Sequence, residues 1–304
     1  MVVEEKSLHS HRTNCLRDLH FDHHLDMAPL KATVNCDMGE GFSLYSIADD
    51  EALMKTIHLA NIACGFHASY VSLIYISPIL TPNAYLNSDF SIMNQTVEYA
   101  KQNNVLVGAH PSLPDRQGFG RREMAMTPEE LTSCFVYQVG ALNGFLTMQG
   151  MPLYHIKPHG AVYGQMARSE ELARAAIKVC KYFSTPNNSV AFVGLPGTQH
   201  EKVAKEEGVR FIPEWFADLD YNPEGKLLIT KIHTPVTHEE VEKRVRTLLE
   251  TRRVTTNNGT LLPLGDHVDE VTVCCHSDTP GAIGIAKLVK SLVDESNNAA
   301  GYVV

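Results

Sequence analysis

Carboxylate, imidazole and ammonium side chains follow six of the seven short apolar runs in this sequence. These residue types carry out acid–base chemistry and bind metals and anions, and burying them is costly unless they are paired or used. Their repetition at so many run ends therefore predicts one shared pocket. The residues concerned are Asp37 and Glu40, His67, His110, Lys157 and His159, Glu214 and Asp218, and His276 and Asp278.

The apolar runs are the elements that must position these side chains, and each is typical of a buried strand. Segments with helical spacing lie between them, at 127–149, 169–183 and 237–253 among others. Thr127 and Glu130 are placed to cap the first of these helices. The strands are predicted at 32–37, 59–66, 105–110, 153–159, 189–195, 209–216 and 270–276.

Strands that alternate with helices predict an α/β fold with a parallel sheet. Seven repeats favour a closed, TIM-like parallel (β/α) barrel of seven strands, with an open doubly wound sheet as the alternative. No glycine-rich phosphate loop follows the first run, which argues against a nucleotide-binding doubly wound fold. In a barrel the carboxyl ends of the strands form the active-site face, so the polar residues would converge there.

Two kinds of chemistry remain open for Asp37, His67 and His110. One carboxylate and two imidazoles could hold a divalent metal such as Zn²⁺. Alternatively, Asp37 is a general base and the two histidines stabilise charge without a metal. The sequence contains no HExxH motif that would decide between the two.

Positively charged side chains in two turns are candidates for binding an anion. Lys157, in the turn-forming sequence KPHG, could clamp a carboxylate or phosphate, with an ordinary surface lysine as the alternative. The loop 110–124 contains Asp115 and Arg121, and its arginines could bind an anionic group through two hydrogen bonds. A solvated, charged connection is the alternative for this loop.

The composition excludes several classes of protein. A net charge of −9 without a run of Lys or Arg argues against nucleic acid as a partner. The apolar run 71–80 is too short to span a bilayer, so no membrane partner is expected. Seven cysteines without a CxxC pair and the lack of a secretory signal indicate a reducing, cytoplasmic setting.

The chain of 304 residues is predicted to form a single barrel domain over 31–295. Residues 1–30 are rich in histidine and charge and are expected to be a disordered polar tail. Residues 296–304 are expected to be a C-terminal tail. An atypical apolar insertion is predicted at about 70–88, directly after the strand that carries His67.

Several ordered segments together resemble the LamB/YcsF family, whose bacterial members form the A component of 5-oxoprolinase. They extend over nearly the whole chain after the polar tail. The segments are VNCDMGEGF, ANIACGFHA, VGAHPSLPDRQGFGRREM, YQVGAL, IKPHGAVYGQMA, VGLPG, EWFADLDY and VCCHSD.

The resemblance implies a barrel related to the glycoside hydrolase/deacetylase fold. It also implies ATP-dependent opening of 5-oxo-L-proline to L-glutamate together with partner subunits. On this reading a catalytic residue among Asp37, His67 and His110 activates water, while Lys157 and Arg121 hold a carboxylate or phosphate. The other residues with expected catalytic roles are His159, Glu214 and His276, and those expected to bind substrate are Glu40, Asp115, Asp218 and Asp278.

This chain departs from the family pattern at three places. It has Leu219 where the family has Arg, and Ser277 where the family has Gly. The insertion at about 70–88 replaces a single family Gly, and a translated intron is our hypothesis for it. The insertion keeps open a non-catalytic subunit that binds substrate or a partner. The fold relationship keeps open a metal-dependent carbohydrate deacetylase.

Overall fold

The computed structural model describes residues 30–41, 48–68, 89–228, 236–264 and 268–303. The predicted insertion at about 70–88 lies outside these ranges, as does the predicted polar tail except for its last residue. That residue, Leu30, is buried in the core.

The seven predicted strands close into a barrel whose neighbours are all parallel, which confirms the predicted fold class. The barrel strands are β1 (Lys31–Met38), β2 (Leu59–Ala63), β3 (Leu106–His110), β4 (Leu153–Ile156), β5 (Ala191–Gly194), β6 (Phe211–Phe216) and β11 (Glu270–Cys274). The order around the barrel is β1-β11-β6-β5-β4-β3-β2, and β2 pairs with β1 to close it.

Helices follow the strands, and the three that the sequence predicted are present. Thr127, Ser169 and Thr237 cap them, and Thr127 forms a complete capping box with Glu130. The α-helices are α1 (Asp50–Met54), α2 (Asp89–Gln102), α3 (Pro128–Gln149), α4 (Ala161–Arg168), α5 (Glu170–Phe183), α6 (Gln199–Glu207), α7 (His238–Thr251) and α8 (Ala282–Ala300).

The alternation of residues along β1 shows how the barrel separates its two faces. Ala32, Val34 and Cys36 belong to the apolar core. The intervening residues are polar, and Asn35 among them donates to Thr272 Oγ1 on β11 at 3.0 Å. The inside of the barrel therefore contains a polar network, while the apolar core surrounds it.

Two short antiparallel pairs lie in the connections between β6 and β11, and the sequence patterns did not predict them. They are β7 (Asp220–Tyr221) with β8 (Leu227–Leu228), and β9 (Arg253–Thr255) with β10 (Leu261–Pro263). Strands of two or three residues are too short to show an alternating pattern.

Helix α8 continues past the predicted C-terminal boundary at 295, to Ala300. Asn297, inside the predicted tail, is buried and exchanges two hydrogen bonds with the backbone of Ala32, at 3.1 and 2.8 Å. This contact ties the end of the chain to the first barrel strand. In the described part of the chain, no helix has the length and apolar character needed to cross a membrane.

Candidate active site

The carboxyl ends of three barrel strands meet around one buried ammonium group. Lys157, just after β4, donates from Nζ to Asp37 Oδ1 on β1 at 2.9 Å. The same nitrogen lies 2.8 Å from Glu214 Oε1 on β6. His110, at the end of β3, presents Nε2 to Asp37 Oδ2 at 3.3 Å. The structure therefore brings four of the expected catalytic residues into one series of contacts.

These contacts fix the charges of the group despite its burial. Burial by itself would raise the pKa of Asp37, but His110 and Lys157 outweigh it and hold that pKa well below its usual range. Burial would likewise lower the pKa of Lys157, whereas Asp37, Cys274 and Glu214 raise it well above its usual range. Asp37 and Lys157 therefore form a charged pair at neutral pH.

Asparagine side chains complete this network, and the sequence patterns did not reveal them. Asn61 Nδ2 donates to Asp37 Oδ1 and to Asn35 Oδ1, both at 2.8 Å. His155 Nε2 lies 2.6 Å from Asn61 Oδ1. The sequence did contain a signal for two members of this network. Asn35 and His155 precede Asp37 and Lys157 by two positions, which is the spacing of residues on the same face of a strand.

Glu40 forms a second group together with His67, His110 and His159, all of them buried. One ligand atom from each lies within 4.8 Å of the others. His159 Nδ1 lies 3.0 Å from His110 Nε2. The rings of His67 and His159 stack with centroids 3.7 Å apart. Three imidazoles and one carboxylate are a donor set that could hold a metal ion.

This grouping differs from the metal set expected from the sequence. Asp37 lies with Cys274 and His276 instead, within the same 4.8 Å limit. The Lys157 ammonium already lies among these three residues, because its nitrogen is 2.9 Å from Asp37 Oδ1 and 3.3 Å from Cys274 Sγ. A cation bound by side chains there would meet this fixed positive charge.

Burial controls the charge of the histidine group. It lowers the pKa of His67 and of His159 well below the ordinary value, so both rings are neutral at physiological pH. Burial also raises the pKa of Glu40. The pKa values of the Asp37 and Glu40 carboxyl groups are therefore shifted in opposite directions, which is typical of sites that transfer protons.

His276, after β11, provides a further positive charge. Its Nδ1 lies 3.0 Å from Asp218 Oδ1, and its ring stacks on Phe216. Burial would lower the pKa of His276, but Asp218 overcomes this and raises it to about 9. The pKa of Asp218 falls to about 2, because His276 and Thr279 outweigh the effect of burial. This ring is an imidazolium at neutral pH.

The loop 110–124 divides its charged residues between two tasks. Arg121 Nη2 donates to Asp278 Oδ2 at 3.1 Å, so these two expected substrate-binding residues lie together at the partly exposed rim. Asp115 accepts hydrogen bonds from Gly118 and Arg122. Since these partners belong to its own loop, Asp115 holds the loop in shape.

Comparison with known proteins shows where this arrangement belongs. The LamB/YcsF family model matches residues 32–76 and 84–302. The chain belongs to the LamB/YcsF family. The 77–83 gap in the LamB/YcsF match falls inside the insertion predicted from the sequence.

Relatives of this LamB/YcsF chain are similar over nearly their full lengths. A protein named lactam utilization protein lamB from Emericella nidulans is 44% identical over 91% of this chain and 100% of its own length. A protein from Pyrococcus furiosus, named as the A component of 5-oxoprolinase, is 38% identical over 88% of this chain and 95% of its own. The crystal structure of a lactam utilization protein from Thermus thermophilus superposes with a TM-score of 0.71 and 32% identity, covering 90% of this chain and 99% of that one.

The two residues expected to depart from the LamB/YcsF pattern lie beside the imidazolium. Leu219 follows Asp218 and Ser277 follows His276, and both are buried. The carbonyl of Leu219 accepts a hydrogen bond at 3.1 Å from Arg244, which extends from α7. An arginine from another element thus reaches the backbone of position 219.

Proposed function

We propose that this chain hydrolyses a small lactam, specifically 5-oxo-L-proline to L-glutamate, in an ATP-dependent reaction with partner subunits. One observation carries the proposal: Lys157 holds Asp37 and Glu214 at 2.9 and 2.8 Å, in a barrel whose relatives are named for lactam utilization and 5-oxoprolinase. The reaction breaks the ring C–N bond and forms a C–O bond to water, so it needs a base for the water and an acid for the nitrogen.

The site offers a group for each of these steps. Asp37 is kept ionised, and Lys157 and Asn61 fix its Oδ1, so its Oδ2 is the atom we assign to accept a proton from water. His276, an imidazolium with a pKa of about 9, is the proposed proton donor to the departing nitrogen. Glu214 is the alternative donor.

The substrate carboxylate requires a positive charge at the rim. Arg121 is partly exposed and pairs with Asp278 at 3.1 Å, on the segment that also carries His276. We assign to Arg121 the binding of the 5-oxoproline carboxylate, with Asp278 holding the guanidinium in position. Lys157 is buried and contacts both Asp37 and Glu214, and its proposed task is to position these two carboxylates.

The dependence on ATP follows from the chemistry of the substrate. A five-membered lactam is an unstrained, resonance-stabilised amide, so its carbonyl needs activation before water can attack. Transfer of a phosphoryl group from ATP to the amide oxygen, with release of ADP, would activate the carbonyl carbon for attack by water. Departure of the ring nitrogen with a proton would then leave an acyl phosphate, and its hydrolysis by a second water would give L-glutamate and phosphate. The sequence has no GxxxxGK[ST] phosphate loop, and partner subunits are therefore the proposed source of ATP binding.

The proposed compartment is the cytoplasm. Six cysteines in the described ranges are free thiols, as expected in a reducing environment.

Glutamate release from 5-oxoproline tests the function directly. It should be measured with ATP, for this chain alone and for the chain mixed with its cognate partner subunits. We expect release in the complete mixture and its loss with Asp37→Asn, while Lys202→Gln on the exposed surface retains it. Absence of release from a complete, folded mixture would instead support a non-catalytic binding role.

A further inference from the structure

In the histidine group, one ring nitrogen of His110 faces one ring nitrogen of His159. Neither of these two nitrogens carries a proton when both rings are neutral. His110 Nδ1 lies 2.8 Å from the carbonyl oxygen of Lys157. A carbonyl oxygen only accepts hydrogen bonds, so Nδ1 must carry the proton of this ring. In the neutral ring the other nitrogen, Nε2, is then a bare lone pair, which faces Asp37 Oδ2 at 3.3 Å on one side.

His159 is fixed in the complementary way. Its Nε2 lies 2.9 Å from the carbonyl oxygen of Phe119 and must therefore be the protonated nitrogen. Its Nδ1 is bare in the neutral ring and lies 3.0 Å from the bare Nε2 of His110. Two lone pairs repel at this distance, so an electrophile belongs between them. A proton or a metal ion would satisfy both nitrogens.

Glu40 favours the metal ion. This carboxylate is buried, and in the described ranges its ion-pair partners are His67 and His159 alone, at 3.1 and 3.4 Å. A neutral imidazole can be a metal ligand, but it provides no charge that balances the carboxylate. A buried carboxylate is costly unless it is paired with a charge or coordinates a metal.

We propose that Glu40, His67, His110 and His159 bind one divalent transition-metal ion of the Zn²⁺ class. Three nitrogen donors and one oxygen donor suit such ions, whereas Mg²⁺ and Ca²⁺ prefer oxygen ligands. Ligands around a tetrahedral Zn²⁺ with bonds of about 2.1 Å lie about 3.4 Å apart. Three of the six separations within the group are 3.0, 3.1 and 3.4 Å, and all six are within 4.8 Å.

The backbone around the group has the features of an outer shell that orients ligands. The carbonyls of Lys157 and Phe119 fix the tautomers of His110 and His159, as outer-shell acceptors do in metal sites. Gly120 has a φ of +65°, and a Cβ there would come within 2.9 Å of His159 Cδ2 and 3.0 Å of His67 Cβ. Only glycine lets this loop lie so closely on the two rings.

The proposed ion would take part in the lactam reaction, and this role rests on the proposed function. His110 links the group to Asp37 Oδ2 at 3.3 Å, so the metal would lie next to the residue assigned to take a proton from water. A bound Zn²⁺ polarises carbonyls and lowers the pKa of bound water. The metal site itself does not depend on which substrate is used.

Metal binding can be tested in the full-length chain without a reaction. The protein is freed of metal with a chelator and reloaded with Zn²⁺, Co²⁺ or Mg²⁺, and the bound metal is counted after gel filtration. We expect one tightly bound Zn²⁺, visible Co²⁺ absorption bands of a four- or five-coordinate N/O site, and no Mg²⁺ competition. Glu40→Gln and His159→Asn should each weaken Zn²⁺ binding by at least about 100-fold, the upper end of the loss caused by removing an outer-shell partner.

The histidine-rich N-terminal segment requires its own control. Replacing its five histidines with Gln should leave the tight site unchanged, whereas loss of all tight binding in that variant would overturn the proposal. The residues replaced are His9, His11, His20, His23 and His24.

A loss of metal binding must be distinguished from a loss of folding and from a loss of enzymatic activity. Far-UV circular dichroism confirms the fold of each variant, and Glu40→Gln changes no side-chain volume. Equal Zn²⁺ affinity in wild type and both site variants, or no binding in wild type, would assign the space between His110 and His159 to a proton. Zn²⁺ binding together with no glutamate release would leave the metal site intact and refute only the proposed function.

Discussion

The ammonium of Lys157 donates a hydrogen bond to Asp37 Oδ1 at 2.9 Å, and both side chains are buried. The pair joins β1 to the segment after β4, which lie on different sides of the barrel. Glu214 on β6 takes a second contact from the same ammonium at 2.8 Å. One cation thus holds together two carboxylates from separate strands, and both the fold and the proposed chemistry depend on it.

Replacement of this cation should destabilise the protein strongly. Lys157→Met leaves two buried carboxylates without their partner, which costs about 3–5 kcal/mol for a broken buried pair. The free energy of unfolding in urea measures the effect. Lys202→Met provides the control, because Lys202 pairs with Glu170 at the exposed surface and should change stability little. Equal effects of the two substitutions would show that the buried cation has no special role.

The pH dependence of stability should show the His276–Asp218 pair. The pKa of His276 is raised from 6.5 to about 9, so its contribution is fully present below about pH 6.5 and is lost as the pH rises through 9. The full shift corresponds to roughly 3 kcal/mol. Asp37 and Lys157 also act on this ring, in opposite directions.

Urea unfolding of the wild type between pH 5 and 10, set against Asp218→Asn, would measure this contribution. The variant should lose the decline between about pH 6.5 and 9, since its ring no longer has a negative partner. On the acid side Asp218, with a pKa of about 2, keeps its contribution above about pH 4 and loses it as the pH falls towards 2. A decline that persists unchanged in the variant would assign the pH dependence to other groups.

Gly108→Ala should disturb the barrel interior through one contact. A Cβ at this position would lie 2.1 Å from His155 Nε2, the nitrogen that bonds to Asn61. Overpacking of this kind costs about 1–3 kcal/mol. Gly144→Ala on α3 is the matched control. Apart from the backbone of its own helix and its two chain neighbours, no atom of the described residues lies within 4 Å of its added Cβ, and alanine favours the helix.

A double-mutant cycle with His155→Ala identifies the source of that cost. Removing the ring should make room for the new methyl group, so the double variant should be more stable than the sum of the two single changes predicts. Additive effects would contradict a clash between positions 108 and 155. Thermal unfolding of the four proteins supplies the cycle.

The sequence predicted the barrel because strand periodicity and helix caps are local signals. Thr127 and Glu130 illustrate this, since both partners of the capping box lie within one turn. The prediction was weakest at the end of α8, where Asn297 looked like part of a polar tail. The fold uses that polar side chain to satisfy the backbone of Ala32, a partner 265 positions away.

The site was harder to predict than the fold because its pairings depend on the stagger between strands. Strand ends identified Asp37, His67 and Lys157 as pocket candidates, but not that Lys157 would neutralise Asp37. Consequently the predicted metal set contained Asp37, whereas the structure groups Glu40 and His159 with His67. Asn61 was missed because a single amide in an apolar run gives no periodic signal.

Arg121→Gln should weaken the binding of 5-oxoproline while leaving the chemistry intact, if the complete mixture of subunits has the proposed activity. The substitution removes a charge at the rim and leaves Asp37 and Lys157 in place. We expect KM for 5-oxoproline to rise by about tenfold or more with kcat little changed, the pattern of a lost uniform binding interaction. Arg168→Gln is the control, since Arg168 pairs with Glu123 on the exposed surface. A fall in kcat at constant KM would instead place Arg121 among the groups that act in the transition state, next to the departing nitrogen and not at the carboxylate.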